Sequence, residues 1–404
     1  MIVAPPTIKK ASISSSIILK GSPLYKMHVL KGAKKRFIYQ WMNLHLLFLA
    51  VKTYHSLSVA IRVLIKLKEF LESAMGAGQL KLIEVDGKYY HHLYAPAFPS
   101  KVFDEYILAE FSRIRPIRRH TNMLTFLFFA ITRKCPLQCE HCFEWDNLNK
   151  KETLDLKELR AVIERFQRKG IAQFHLSGGE PMVRIKEMRS LISNAEKKSE
   201  FYVLTSGFNF TTENAKALKD AGLTGVVISL DHFIPEKHNS FRGFGDSFSQ
   251  VIRAIQFAQE QQLVVALTIC VTKSFISWSN LMAYAEMAKK MKVVFVQLPE
   301  PKAVGHYQDK DVFLDGTELA MLEKFFLTLN FDPAYRDFPI VIYHGYHQRR
   351  IGCLNGGNRT LYIDSAGFIN ACPFCHTRNF NVKDLLADDN DIETSVRSAH
   401  CPGC

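Results

Sequence analysis

The chain of 404 residues has no cysteine before position 135, and its first 72 residues hold only two acids, Glu69 and Glu72. Apolar runs are short. The stretch LLFLAV, residues 46–51, is flanked by His45 and Lys52, far from the roughly 20 apolar residues of a spanning helix. The start, MIVAPPTIKKASISSS, lacks an apolar core followed by a small-residue cleavage site, which predicts no secretory signal and a cytoplasmic protein. No repeat of 20 to 50 residues and no low-complexity tract is visible, and 47% apolar residues exclude a disordered chain. Nine cysteines, an odd number bunched at short gaps, fit metal binding in a reducing compartment better than a disulfide framework.

Charge is concentrated. Lys and Arg number 52 against 39 Asp and Glu, a net +13. Residues 1–72 supply twelve of the cations and two of the acids, hence +10. A nearly neutral remainder argues against nucleic acid as the partner and makes the basic segment an appended arm. Within it, His55, Ser58, Arg62, Lys66, Glu69 and Ser73 form a narrow polar stripe, which predicts one amphipathic helix over about 40–73 with a broad apolar face. That face either packs on the rest of the protein or contacts a membrane from its inner side, helped by Lys31, Lys34, Lys35 and Arg36. Asp86-Gly87 between apolar runs predicts a hairpin over about 80–93, and a helix follows near 103–112.

A boundary is expected near 120, after the basic linker RIRPIRRH. From residue 123, strands near 124–132, 173–176, 201–205, 225–230, 264–271 and 293–297 alternate with helices near 156–169, 185–198, 212–221, 247–261, 277–290 and 316–328. Such alternation implies right-handed crossovers and a parallel sheet. Six units do not close an eight-stranded barrel, so an α/β fold with an open, partial (β/α)6 barrel or a doubly wound sheet is expected. The expected organisation is an N-terminal α+β extension at 1–120, an α/β core at 121–340 and a small C-terminal unit at 341–404.

In either architecture chemistry belongs at the carboxyl ends of the strands. Cys135, Cys139 and Cys142 follow the first strand, Gly178-Gly179-Glu180-Pro181 the second, Thr205-Ser206-Gly207 the third, and Ser229 to Asp231 end the fourth. Three thiolates within eight residues can hold three corners of an iron–sulfur cubane and leave one metal corner open. Cys270, in the apolar strand VVALTIC, is expected to be buried core.

The loop CPLQCEHC resembles the CxxxCxxC loop of radical S-adenosylmethionine (SAM) enzymes, and HLSGGEP resembles their second-strand segment. The resemblance spans about 123–404. It implies that Cys135, Cys139 and Cys142 hold a 4Fe–4S cluster whose fourth iron binds SAM, and that His141 lies against the adenine. Gly178, Gly179 and Glu180 would receive the methionine amino group, Ser229 and Asp231 would contact ribose or methionine, and Arg242 would pair with the cofactor carboxylate. Cys353, Gly367 and Cys372 (CX13GX4C), followed by Cys401-Pro-Gly-Cys404, resemble the SPASM or twitch extension of that superfamily. The implied ligands of one auxiliary 4Fe–4S cluster are Cys353, Cys372, Cys401 and Cys404, with Cys375 a substitute ligand or a free thiol; a zinc module of the two CxxC pairs is the alternative.

Implied activity is one-electron cleavage of SAM to a 5′-deoxyadenosyl radical that abstracts hydrogen from a substrate, with flavodoxin or ferredoxin as the electron donor. The substrate is unidentified; the basic arm points to a hydrophobic or lipid-linked molecule, and peptide or protein side-chain maturation is the rival. A non-catalytic iron–sulfur or zinc protein is the alternative of another class.

Overall fold

Ser56 decides how the basic N-terminal segment folds. In the structure, a computed structural model that describes residues 20–76, 81–117, 124–353, 356–375 and 380–387, two helices replace the single one expected over 40–73. After β1 (Met27–Val29) come α1 (Gly32–Tyr54) and α2 (Leu57–Met75). His55 between them is left-handed, with φ +52°, and the Ser56 hydroxyl accepts the Val59 N–H at 3.5 Å. A side-chain cap thus restarts the helix where apolar periodicity alone runs on. The hairpin of β2 (Ile83–Val85) and β3 (Lys88–Tyr90) turns at Asp86-Gly87 as expected and pairs with β1 in a three-stranded antiparallel sheet. Helix α3 (Lys101–Ile114) closes the region.

Next comes the repeating α/β part: β4 (Phe126–Ala130), α4 (Leu156–Arg168), β5 (Gln173–Ser177), α5 (Ile185–Asn194), β6 (Glu200–Thr205), α6 (Thr212–Ala221) and β7 (Gly225–Ser229). It continues through α7 (Pro235–Arg242), α8 (Ser247–Glu260), β8 (Val264–Thr268), α9 (Trp278–Lys290), β9 (Phe295–Gln297), α10 (Gly316–Phe331) and β10 (Ile340–Ile342). Last are α11 (His344–Ile351), β11 (Thr360–Ile363), β12 (Phe368–Asn370), β13 (Phe380–Asn381) and α12 (Val382–Ala387).

Ten strands form one open sheet in the order β10-β9-β8-β7-β6-β5-β4-β11-β12-β13. From β4 to β10 the order follows the chain without a reversal, the winding of a partial barrel rather than of a doubly wound sheet. The six expected strands are present, and a parallel strand joins at each edge, β10 beside β9 and β11 beside β4. The boundary placed at 340 falls inside β10, and the main core runs on to Leu385, so the C-terminal strands extend the barrel sheet.

Alternation along the strands splits the core. Leu127, Phe129, Phe174, Val203 and Val226 face the helices. Phe126, Tyr202, Val227, Val264 and Phe295 face inward and meet Tyr25, Ile83, Tyr90, Leu93 and Tyr94. The N-terminal sheet therefore plugs the inside of the barrel at the starts of the strands.

Candidate active site

The loop after β4 is clamped from three sides. Toward α7, the N–H groups of Gln138 and Glu140 donate to the carbonyls of Arg242 and Phe241 at 3.1 and 2.9 Å. On the second side, Gly305 has φ +56°, and a Cβ there would lie 2.3 Å from the Cys142 carbonyl oxygen. That approach lets the His306 N–H donate to the Cys142 carbonyl at 2.9 Å, while the His306 ring lies 3.9 Å from Trp145, stacked. His306 Nδ1 sits 3.0 Å from the Cys139 carbonyl, which can only accept, so Nδ1 carries the proton. On the third side Glu144, buried in the loop's continuation, accepts hydrogen bonds from Tyr362 and Ser365, both at 2.5 Å, tying the C-terminal strands to the cysteine loop.

Cys135, Cys139 and Cys142 all border one cavity of about 440 Å³ at the carboxyl ends of the strands. Burial pushes the Cys135 thiol up to about 12 and the Cys142 thiol higher still. Thiolates here need a cation among them, which coordinated iron would provide. Among the described residues, no three His, Cys, Asp or Glu side chains meet at a single-ion position. Ligands of a cubane stand at separate corners.

Gly178 and Gly179 press the next strand end against this loop. Gly178 has φ +143°, and a Cβ on Gly179 would meet the Lys134 carbonyl oxygen at 2.3 Å. Their own carbonyls accept no hydrogen bond among the described residues, and both glycines border the cavity. Glu180, expected as an anion facing a cation, is held by four donors. Its Oε1 accepts from Met182 N–H and Thr205 Oγ1 at 3.0 and 2.7 Å, and its Oε2 from Ser206 N–H and Oγ at 2.8 and 2.6 Å. Burial raises its pKa, and those donors from Ser206, Thr205 and Met182 offset part of the rise. Each oxygen accepts two bonds, which fix the carboxylate between the ends of β5 and β6, and Glu180 borders the cavity beside Gly178 and Gly179.

Ser229 borders the cavity at the end of β7. Asp231 does not. Its carboxylate accepts the Cys270 N–H at 3.1 Å and pairs with the Arg242 guanidinium at 2.5 Å. Burial would raise the Asp231 carboxyl, but Arg242, then His141 and His238, hold it below its ordinary range. Asp231, expected to contact ribose or methionine, thus lies off the cavity against Arg242, and Arg242, expected to pair with a cofactor carboxylate, already pairs with this one. Arg242 Nη1 lies 3.5 Å from Cys139 Sγ, and its Nε has no partner among the described residues. His141 stacks on Phe241 at 5.0 Å, its Nδ1 is unpartnered, and burial lowers its pKa to about 4, so it is neutral at pH 7.

Cys353 and Cys372 border the same cavity as the first three cysteines. Cys375 is buried, and its N–H donates to the Cys372 carbonyl at 3.1 Å. Cys401 and Cys404 lie outside the described residues. Cys270 is buried as expected, yet it also borders the cavity.

Sequence reasoning missed the opposite wall. Tyr94 borders the cavity from the N-terminal extension, packed against Phe126, Phe128, His175 and His344, and its hydroxyl accepts the Gln297 side-chain N–H at 2.8 Å. It lies in an irregular stretch with no periodicity to mark it. Tyr307, whose hydroxyl donates to Glu140 at 2.9 Å, and His306 were likewise unmarked.

A family model described as the radical SAM superfamily matches residues 129–276. The GTP 3′,8-cyclase of Rhizobium etli (strain CIAT 652) is 31% identical over 159 residues, 38% of this chain and 45% of that protein. That of Alkaliphilus oremlandii (strain OhILAs) is 32% identical over 141 residues, 34% and 43% of the two chains. The chain spans less than half the length of these curated relatives. Among solved structures, Streptococcus suis SuiB bound to the precursor peptide SuiA shares the fold, with TM-score 0.54 and 14% identity over 88% of this chain and 84% of that one. SuiB bound to S-adenosylmethionine gives 0.53 and 14% over 88% and 83%. The cysteine loop and the double-glycine strand end, which face one cavity at the top of a partial barrel, both lie within residues 129–276, the stretch that matches the radical SAM superfamily model.

Proposed function

We propose that this chain cleaves S-adenosylmethionine reductively and uses it to abstract hydrogen from a hydrophobic or lipid-linked substrate. The observation that carries this reading is the meeting of Cys135, Cys139, Cys142, Gly178, Gly179, Ser229 and Arg242 on one cavity. A 4Fe–4S cluster held by the three cysteines supplies, when bound, the electron that splits the sulfonium and yields the 5′-deoxyadenosyl radical. The chain's own groups do the rest. The open carbonyls of Gly178 and Gly179 suit an ammonium, and the Ser229 hydroxyl is available to a polar ligand. Arg242, fixed by Asp231, keeps positive charge beside Cys139, and the neutral His141 ring offers an aromatic edge to a base. A flavodoxin or ferredoxin is the proposed electron donor.

Substrate class follows from the walls. Phe128, Leu204, Val227, Leu298, Phe313 and Phe374 surround the cavity, with Tyr94, Gln297 and His344 as polar points on the barrel side. Apolar walls with few polar groups suit an apolar ligand oriented by one or two hydrogen bonds. Cys353 and Cys372 on the same cavity support an auxiliary cluster, completed by Cys375, Cys401 or Cys404, that takes an electron from the product radical or anchors the substrate. The second reading is maturation of a ribosomal peptide; SuiB, which shares this fold, is bound to a precursor peptide.

Anaerobic incubation of the reconstituted full chain with dithionite and SAM should release 5′-deoxyadenosine; a folded, iron-loaded chain that releases none rejects the enzyme reading. Iron counting separates about eight irons per chain, two cubanes, from about four with zinc. Comparison of lipid and peptide fractions from cells with and without the protein then separates the two substrate classes.

A further inference from the structure

The helical hairpin of α1 and α2 has two apolar faces on each helix, and only one of them is buried. On α1, Ile38, Met42 and Ala50 pack inward against α2 and α3, while Phe37, Leu44 and Phe48 are 65%, 66% and 65% exposed. On α2, Ala60, Val63 and Leu67 are buried, while Leu57, Ile61 and Ile65 are 57%, 45% and 51% exposed. Spacings of seven and four on α1, and four and four on α2, put each trio on one stripe. Scattered exposed apolar residues need no explanation, but two ordered stripes on adjoining helices mark a contact surface.

Charge selects the occupant. Residues 20–75 carry ten Lys or Arg and two acids, and α1 contains no acid at all. Lys31, Lys34 and Lys68 pair with Asp337, Glu84 and Glu72. Arg36, Lys52, Arg62 and Lys66 are exposed and make no ion pair among the described residues. Arg36 adjoins Phe37, and Lys52 follows Phe48 by one turn. Aromatic and aliphatic stripes flanked by unpaired cations match the boundary between acyl chains and anionic headgroups. No helix among the described residues is long and apolar enough to cross a membrane, so the hairpin would lie along the surface.

We propose that the outward faces of α1 and α2 dock this protein onto an anionic lipid bilayer. The inference goes beyond the catalytic reading and does not depend on it. Its test is co-sedimentation of the full chain with vesicles of phosphatidylcholine alone and of phosphatidylcholine with about 30 mol% phosphatidylglycerol. The chain should bind the anionic vesicles about tenfold or more tightly than the neutral ones, and added salt should weaken that preference. The triple variant F37S/L44S/F48S should lose about tenfold or more of the anionic binding. Its far-ultraviolet circular dichroism and its release of 5′-deoxyadenosine in vesicle-free solution should stay unchanged, because these side chains face outward. Absence of binding to anionic vesicles, or equal binding by the triple variant, overturns the proposal. So does a dimer in sedimentation equilibrium that the triple variant abolishes, which would make a second copy of the chain the occupant.

Discussion

The Tyr94 hydroxyl accepts a hydrogen bond from the Gln297 side chain at 2.8 Å, joining a residue of the N-terminal extension to the end of β9. The extension thereby supplies part of the wall of the cavity that the cysteines border. Replacing Tyr94 by Phe removes that bond at an open wall and should cost about 1 kcal/mol in urea unfolding. Replacing it by Ala empties a space bounded by Phe126, Phe128, His175 and His344 and should cost about 3 to 5 kcal/mol. Equal losses in the two variants would mean that the ring does not pack as described.

Glu180→Gln should damage the site without touching a cysteine. An amide nitrogen cannot accept, so two of the four donors around Glu180 lose their acceptor. A loss of about 2 to 4 kcal/mol is expected. Loosening of the Gly178-Gly179 backbone should weaken SAM binding in isothermal titration as well. A variant with wild-type stability and wild-type SAM affinity would show that this network does not hold the strand end.

Glu110 couples the extension to β11 and makes stability acid-sensitive. Its carboxylate binds Arg359 at 2.8 and 3.1 Å and Arg113 at 3.0 Å. Burial pushes its pKa up, but Arg359 and then Arg113 more than reverse this and leave it below the ordinary value. A depressed folded pKa gives stability that is complete above the unfolded value of about 4.3 and is lost as pH falls through the folded one. Glu110→Gln should cost about 2 to 4 kcal/mol at pH 7 by removing the buried carboxylate that pairs two partly buried guanidiniums. In melts between pH 7 and pH 3, its deficit should shrink toward the acid end; a constant deficit would exclude this ion pair as the cause.

The two cysteine groups should separate by metal content. Cys139→Ala should remove about four irons per chain and abolish 5′-deoxyadenosine release. Cys353→Ala should also remove about four irons while leaving the SAM-binding centre visible by electron paramagnetic resonance. Unchanged iron in Cys353→Ala would leave the C-terminal cysteines without a cluster.

How far the sequence carried can be judged residue by residue. That Cys135, Cys139, Cys142, Gly178 and Gly179 meet at one cavity was legible because all of them follow strands of a parallel sheet, whose carboxyl ends share one face. The strands β4 to β9 were legible because a parallel sheet covered by helices leaves runs of apolar residues at regular intervals. The pairing of Asp231 with Arg242, eleven residues on, was not legible, since nothing local distinguishes that partner from a ligand. The helix break at His55 was overlooked because apolar periodicity continues through it, and the deciding signal was the single cap at Ser56.

By itself, then, the sequence determined the alternating α/β order, the cysteine spacing and the concentration of positive charge before residue 73, all of which depend on neighbours within a few turns. Only the tertiary structure decided that Tyr94 lines the cavity, that Tyr362 and Ser365 hold Glu144 beside the cysteine loop, and that Phe37, Leu44 and Phe48 face outward. Each of these depends on contacts between residues far apart in the chain, or on which helix face the core happens to cover. Local periodicity carries no record of either, because it reports that a face is apolar and not what meets it.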